Sequence, residues 1–371
     1  MNIMLRQLSK KQGGIIMIKP KETIQALYRM KEGRFSSRYA KIRLDRNERT
    51  IAFNNILIEK IKESITDEML MTYPEPYPLY EKFNIYFGIK KQNLLFNLGS
   101  DLSIKSIYET YIEKHDIILL HEPSYAMYKV YADMFGAEVI TQNFEKDFSF
   151  NYDAFLDKID DNIKMVVFEN PNGFIGVDHT KEYLLKIIKK AYKHNVLVII
   201  DEAYFHFIET TMVDYIHKFD NLIIVRTFSK ALGLASCRIG YIISHAVNID
   251  NIFKVKPMHE LTQFSINVAS ILLENLYFVE ENIKEELASL AYLKQELNML
   301  GINYSDSVAN FLVAKIDVID EEKFMQEIEE KNILIRRNFT QDFLKDYRRI
   351  GVSTQENIDK FIKILRKHHA M

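Results

Sequence analysis

Cysteine is almost missing from this chain of 371 residues: Cys237 stands alone. That excludes an intramolecular disulfide and fits a reducing compartment. No histidine pattern accompanies the thiol to activate it, so buried packing is its expected role. An excess of charge of one sign is also absent. Lys+Arg 49 against Asp+Glu 51 leave a net charge of -2, so no global field recruits nucleic acid or an anionic membrane. No apolar run approaches the roughly 18 residues that span a bilayer. The ten histidines show no convincing paired spacing for a metal, and no glycine-rich dinucleotide fingerprint is found. With 47% hydrophobic residues, the chain is expected to be a soluble, cytoplasmic protein of two or three domains.

Met1 to Ile16 are polar and patternless, without the apolar centre of a secretory signal. A second possible start, Met17, follows Gln12-Gly13-Gly14, whose codons can resemble a ribosome-binding site. Two readings stand open, translation from Met17 or a disordered arm.

Short apolar runs at 94–96, 117–120, 137–140, 165–168, 196–200, 222–225 and 240–243 alternate with helical patterns such as 180–194. Most of the runs read as strands buried on both faces of a largely parallel sheet. The alternation predicts an α/β fold whose large domain carries a mostly parallel seven-stranded sheet. After about Pro257 an amphipathic helical region runs from Ser265 to Leu300. Strand candidates follow at 310–316, 333–336 and 349–352, the pattern of a smaller α+β domain. The expected division is an N-terminal arm over 1–54 packing with the small domain, a large domain over 55–262 and a small domain over 263–371.

Ligands of open parallel sheets gather outside the carboxyl ends of the strands, where several exits here are polar. Residues 222–225 run into Arg226-Thr227-Phe228-Ser229-Lys230, and Arg238 follows eight residues after the lysine. A lysine beside hydroxyls and a second cation suits a Schiff base next to a phosphate, which is what pyridoxal phosphate requires. Taken alone, the motif is also an ordinary strand-to-loop exit. Gly99-Ser100-Asp101 enters a helical segment, where a glycine and free amides suit phosphate, or where the helix is simply capped. Tyr125 can stack on a pyridine ring or sit as a core or rim tyrosine. His121 is expected to pack or hydrogen-bond locally. Residues 196–200 empty into Asp201-Glu202-Ala203-Tyr204, and a carboxylate ending so apolar a strand is costly unless it meets a cation. Asp201 can keep a pyridine nitrogen protonated, and Tyr204 can donate to a phenolic oxygen. A helix cap or a nucleotide-binding strand end are the alternatives for Asp201.

Together these residues resemble the fold-type I pyridoxal-phosphate enzymes, and more closely the histidinol-phosphate aminotransferase group, which includes decarboxylases of phosphorylated amino acids. Leu44-Asp45-Arg46-Asn47-Glu48 resembles the group's Asn-Glu motif, with Arg49-Thr50 in place of its usual proline context. Tyr73-Pro74-Glu75-Pro76 resembles its Tyr-Pro-Asp segment. The resemblance implies Lys230 as the Schiff-base lysine, Asp201 on the pyridine nitrogen and Tyr204 near O3′. It also implies Gly99, Ser100, Asp101, Thr227, Ser229 and Arg238 around the cofactor phosphate, with Tyr125 at the ring. Tyr73 would reach across a homodimer to the neighbour's phosphate. Arg336 and Arg349 resemble the group's two substrate arginines, able to clamp carboxylate or phosphate. Arg337 and Arg348 are expected to face solvent or acidic neighbours.

One segment departs from the group. Where Asn-Pro-Thr-Gly is usual, the chain reads Asn170-Pro171-Asn172-Gly173-Phe174-Ile175-Gly176, which puts Gly173 at the position of an asparagine that contacts O3′. Either Asn172 shifts into the role, making it a cofactor-binding candidate, or the contact is absent and the pocket enlarged. The implied activity is a pyridoxal-phosphate-dependent aminotransferase of a small phosphorylated amine or oxo compound, with glutamate/2-oxoglutarate as the second pair. Decarboxylation of a serine- or threonine-phosphate type amino acid is the alternative, because the same lysine, aspartate and phosphate cradle serve both.

Overall fold

The computed structural model describes residues 18–28, 38–337, 339 and 341–369. Met1 to Ile16 and the alternative start at Met17 lie outside the described residues. The strands are β1 (Ile42–Leu44), β2 (Leu94–Leu98), β3 (Ile117–Glu122), β4 (Glu138–Asn143), β5 (Ile163–Glu169), β6 (Leu197–Asp201), β7 (Leu222–Thr227) and β8 (Ile239–Ser244), followed by β9 (Phe311–Lys315), β10 (Ile333–Ile335) and β11 (Tyr347–Gly351). The seven apolar runs of the expected large sheet all form strands. They assemble in the order β2-β8-β7-β6-β5-β3-β4, with β8 antiparallel to both its neighbours and the other pairings parallel.

Alternation of side chains gives this sheet two buried faces. Val166 and Phe168 of β5 with Leu222 and Ile224 of β7 enter one core, which also holds Phe83, Phe96 and Phe228. Met165, Val167, Ile223 and Val225 enter the other, against Ile104, Tyr108 and Tyr128. A third core joins Leu44 of β1 to Leu293, Leu312, Phe324, Ile350 and Phe361, around two small sheets that pair β1 with β10 and β9 with β11. Among the described residues no helix is long and apolar enough to cross a membrane.

The single helical region expected over 265–300 is corrected to two helices, Gln263–Leu273 and Tyr277–Met299. The first buries Ile266, Ala269 and Leu272 in the large sheet's core. The second contributes Phe278 and Val279 to that core and Leu290, Leu293 and Leu297 to the third. We therefore propose that the passage from the large to the small unit lies along Tyr277–Met299 rather than at residue 263.

Close packing of β8 against the exit of β2 depends on a missing side chain. A Cβ at Gly240 would lie 2.1 Å from the Ser100 amide nitrogen and 2.2 Å from the Gly99 carbonyl carbon. Those atoms are backbone and have little room to yield. Gly240→Ala is expected to cost at least about 1–3 kcal/mol, measured as a lower urea midpoint; an unchanged midpoint would contradict this packing.

Candidate active site

Strand direction brings the polar exits to one edge. The carboxyl ends of β5, β6 and β7 carry Glu169, Asp201 and Thr227, with Glu169 directly opposite Asp201 in the ladder. Tyr125 lies just beyond β3, and helix Gly99–Tyr111 starts where β2 ends. Because β8 is antiparallel, its start brings Arg238 to the same edge. These residues, with Lys230, Arg336 and Arg349, line one cavity of about 560 Å³.

At one end the backbone makes a cradle. Gly99 adopts φ +77°, and a Cβ there would sit 2.5 Å from Arg238 Nη2. Arg238 itself takes a left-handed conformation, φ 53° and ψ 47°, and its Nη1 donates to Ser229 Oγ at 3.3 Å. Ser100, Asp101, Thr227 and Ser229 line the cavity here. Free amides at the start of a 13-residue helix, hydroxyls and a guanidinium form a site for a phosphate-like anion.

Lys230 belongs to a turn closed by Gly233 N–H donating to Lys230 O at 2.7 Å and Leu234 N–H to Phe228 O at 2.8 Å. Its Nζ donates to Arg46 O at 3.2 Å and lies 5.4 Å from the centre of the Tyr204 ring. Asp201 is buried, accepting from Tyr128 Oη at 2.7 Å and from Ala203 N–H at 3.0 Å. Burial nevertheless pushes its carboxyl up to about 6, against those hydrogen bonds and the nearby charge of Lys230. Tyr204 Oη accepts from Asn47 Nδ2 at 2.9 Å. Behind this wall Arg226 holds Glu202 through Nε at 2.9 Å and Nη2 at 2.7 Å, a buried pair that ties the exits of β6 and β7 together.

Asn172 does not join this group, which corrects its assignment to the cofactor site. Its side chain is buried; Nδ2 donates to Pro123 O at 2.8 Å and Oδ1 accepts from Phe174 N–H and Ile175 N–H. Three hydrogen bonds within the loop and its surroundings consume the amide, and Gly173 faces the cavity instead. His121 packs among aromatic rings, and its Nε2 accepts from Glu169 N–H at 2.9 Å. Burial pushes its pKa down to about 3, so it is neutral.

Arg336 and Arg349 meet as a bridge in which each backbone N–H donates to the other's carbonyl, at 3.1 and 2.9 Å. Arg349 Nη2 donates to Asp45 O at 3.2 Å, while its Nε is buried without a hydrogen-bond partner. Arg337 and Arg348 turn to Glu321. Tyr73 is not part of the cavity lining in the single chain; it is 78% exposed and stacked on His259 at 4.8 Å.

The family profile for aminotransferase class I and II matches residues 41–365, most of the chain and every cavity residue named above. The chain belongs to the aminotransferase class I and II family. It is 32% identical over 333 residues to the histidinol-phosphate aminotransferase of Clostridium novyi, covering 88% of this chain and 91% of that protein. In fold it is similar to the histidinol-phosphate aminotransferase of Sinorhizobium meliloti in complex with pyridoxal-5′-phosphate, with TM-score 0.82, 18% identity and coverage of 96% and 99%. It is likewise similar to the L-threonine-O-3-phosphate decarboxylase of Porphyromonas gingivalis, with TM-score 0.75, 20% identity and coverage of 88% and 98%.

In this aminotransferase, sequence reasoning overlooked Glu169 and Tyr128. Glu169 ends an apolar strand as Asp201 does, so the same signal marked it. Tyr128 had no such mark: it lies in the first turn of helix Met127–Phe135 and meets Asp201 only through folding. Tyr128→Phe tests that contact in the cofactor-free protein. Burial raises the folded-state value of Asp201, so the stability it contributes is present at low pH and lost as pH rises through about 6. The Tyr128 bond offsets part of that loss. The variant is expected to be about 1–3 kcal/mol less stable above this pH, with a smaller deficit below it, where the carboxyl is protonated. Equal deficits in urea unfolding at both pH values would contradict the bond to the ionised group.

Proposed function

We propose that the chain is a pyridoxal-phosphate-dependent aminotransferase of a small phosphorylated amine or oxo compound, with glutamate/2-oxoglutarate as the second pair. The observation that carries this reading is one cavity holding two separate cationic elements, Arg238 with its cradle and the Arg336–Arg349 bridge, together with Lys230 and Asp201. One element suits the cofactor phosphate and the other an anionic substrate tail.

The residues present fit the cofactor. The cavity is within the range of small-molecule sites, and the glycine at position 99 leaves Arg238 in place over the helix start. Asn47 Oδ1 and Arg349 Nε are buried without partners, as expected of groups arranged for a polar ligand. When bound, pyridoxal phosphate supplies an aldehyde and a ring able to accept an electron pair. Lys230 Nζ is the amine available to that aldehyde. The same Nζ would be the group placed to take the α-proton of an amino substrate as general base and to return it. Asp201, oriented by Tyr128 and the Ala203 amide, would hold the ring nitrogen protonated. Tyr204, oriented by Asn47, would hold the phenolic oxygen, and Tyr125 would cover the ring. Gly99, Ser100, Asp101, Thr227, Ser229 and Arg238 would hold the phosphate. Arg336 and Arg349 bind the substrate's anionic tail and so fix which bond faces Lys230.

The partner in this reading is a second copy of the chain. Leu70, Met71, Tyr73 and Met258 are 70%, 76%, 78% and 84% exposed, an apolar group uncommon on a free surface. Glu75 N–H donates to Gln263 Oε1 at 2.8 Å, and Tyr73 stacks on His259, so these segments form one face. A two-fold interface there would send Tyr73 toward the neighbour's cradle. The location in this reading is the cytoplasm, a reducing compartment that the single cysteine fits.

The test loads the protein with pyridoxal phosphate and offers glutamate with a panel of phosphorylated oxo compounds. Formation of 2-oxoglutarate is expected, together with loss of both turnover and the bound-cofactor absorbance in Lys230→Ala. Arg349→Gln is expected to raise KM for the phosphorylated partner about tenfold while the cofactor is retained. Release of carbon dioxide from a phosphorylated amino acid, without 2-oxoglutarate formation from glutamate, would contradict the reading and favour the decarboxylase.

A further inference from the structure

Glu169 lines the same cavity and has no task in the assignments above. It is 1% exposed, and two backbone donors fix its carboxyl: Tyr125 N–H to Oε1 at 2.5 Å and Gly173 N–H to Oε2 at 2.7 Å. A Cβ built at Gly173 would come 3.0 Å from Glu169 Oε2 and 3.5 Å from Tyr204 Cε2. The carboxyl therefore borders the space that a side chain at position 173 would enter, beside the Tyr204 ring.

Its ionisation follows from its neighbours. Asp201 and Glu122 face it from the adjacent strands, and their negative charge adds to burial in pushing it up to about 8. The Tyr125 and Gly173 amides work against this rise, but Asp201 has the Tyr128 phenol and the charge of Lys230 besides the Ala203 amide, so of the two carboxyls Glu169 is the one that keeps a proton. The Tyr125 and Tyr204 rings line the same cavity, the Tyr128 phenol interacts with Glu169 electrostatically, and the His121 ring on its backbone N–H is neutral. The other charged groups lining the cavity are Asp101 and the cations Lys230, Arg46, Arg238, Arg336 and Arg349. A neutral carboxyl that accepts from two amides still has an O–H to donate. Next to Tyr204, that donor suits an anionic oxygen on a ring ligand.

Resting on the pyridoxal-phosphate reading, we propose that Glu169 is a cofactor-binding residue, donating a hydrogen bond as the neutral acid to the cofactor's phenolic oxygen from the space left open by Gly173. Ionised Glu169 would instead set a negative charge against that oxygen. Cofactor affinity should then fall as pH rises through the transition of this carboxyl, a step that a permanently neutral amide cannot produce.

The test measures the pyridoxal phosphate dissociation constant by equilibrium dialysis on either side of about pH 8. Wild type is compared with Glu169→Gln, Gly173→Asn and the double variant Glu169→Ala/Gly173→Asn. Wild type is expected to lose about tenfold more affinity across this range than Glu169→Gln. The glutamine variant starts weaker, because one backbone N–H loses its acceptor, but lacks the step. Gly173→Asn alone is expected to weaken binding by crowding Glu169, and removal of the carboxyl in the double variant to restore it. Melting curves of the cofactor-free variants separate these effects from misfolding. Parallel pH profiles for wild type and Glu169→Gln, with wild type binding the cofactor, would overturn this role alone. Failure of wild type to bind pyridoxal phosphate at all would overturn the cofactor reading and this role with it.

Discussion

Two carboxyls buried side by side at the mouth of an apolar sheet are the constraint around which the site is organised. Glu169 and Asp201 face each other in the ladder, at the last residues of strands whose other side chains fill two hydrophobic cores. Burying such groups is unfavourable unless donors and cations compensate. The fold provides both: the Tyr128 phenol and backbone amides from below, Lys230 and arginines across the cavity. Turning β8 antiparallel is part of this arrangement, since it brings Arg238 to the edge where the parallel strands end.

The cations fall into two groups with different supports. Arg238 is held in a left-handed turn against a helix start that tolerates no side chain at position 99. Arg336 and Arg349 belong to the small sheets, whose core includes Leu44 and the second half of helix Tyr277–Met299. A ligand touching both groups would join the two structural units, so binding and the relative position of the units are linked. In the proposed reading that linkage would have a chemical purpose, because the grip of the two arginines on a substrate tail would set which bond faces Lys230.

Much of this was legible in the sequence because strands buried on both faces are continuous apolar runs, and because a charge at the end of such a run is conspicuous. Asp201 and Lys230 stood out for that reason, and Glu169 carried the same mark. The break after Leu273 was not legible: Glu274-Asn275-Leu276 contains neither glycine nor proline, so local propensity alone gives no reason to stop the helix. Packing against the large core decides it. Asn172 was misplaced because spacing along a loop does not say which amide the backbone consumes. Three bonds to its own neighbourhood hold it away from the cavity. Tyr128 shows the complementary case, a helical residue whose role exists only once the helix covers the ends of β5 and β6.

The central claim is that one particular amine meets a pyridoxal aldehyde in this cavity. Borohydride reduction of the cofactor-loaded protein, followed by peptide mass mapping, tests it most directly. The account predicts a pyridoxyl group on the peptide containing Lys230, lost in Lys230→Arg. A modification spread over surface lysines, or absent from that peptide, would contradict it.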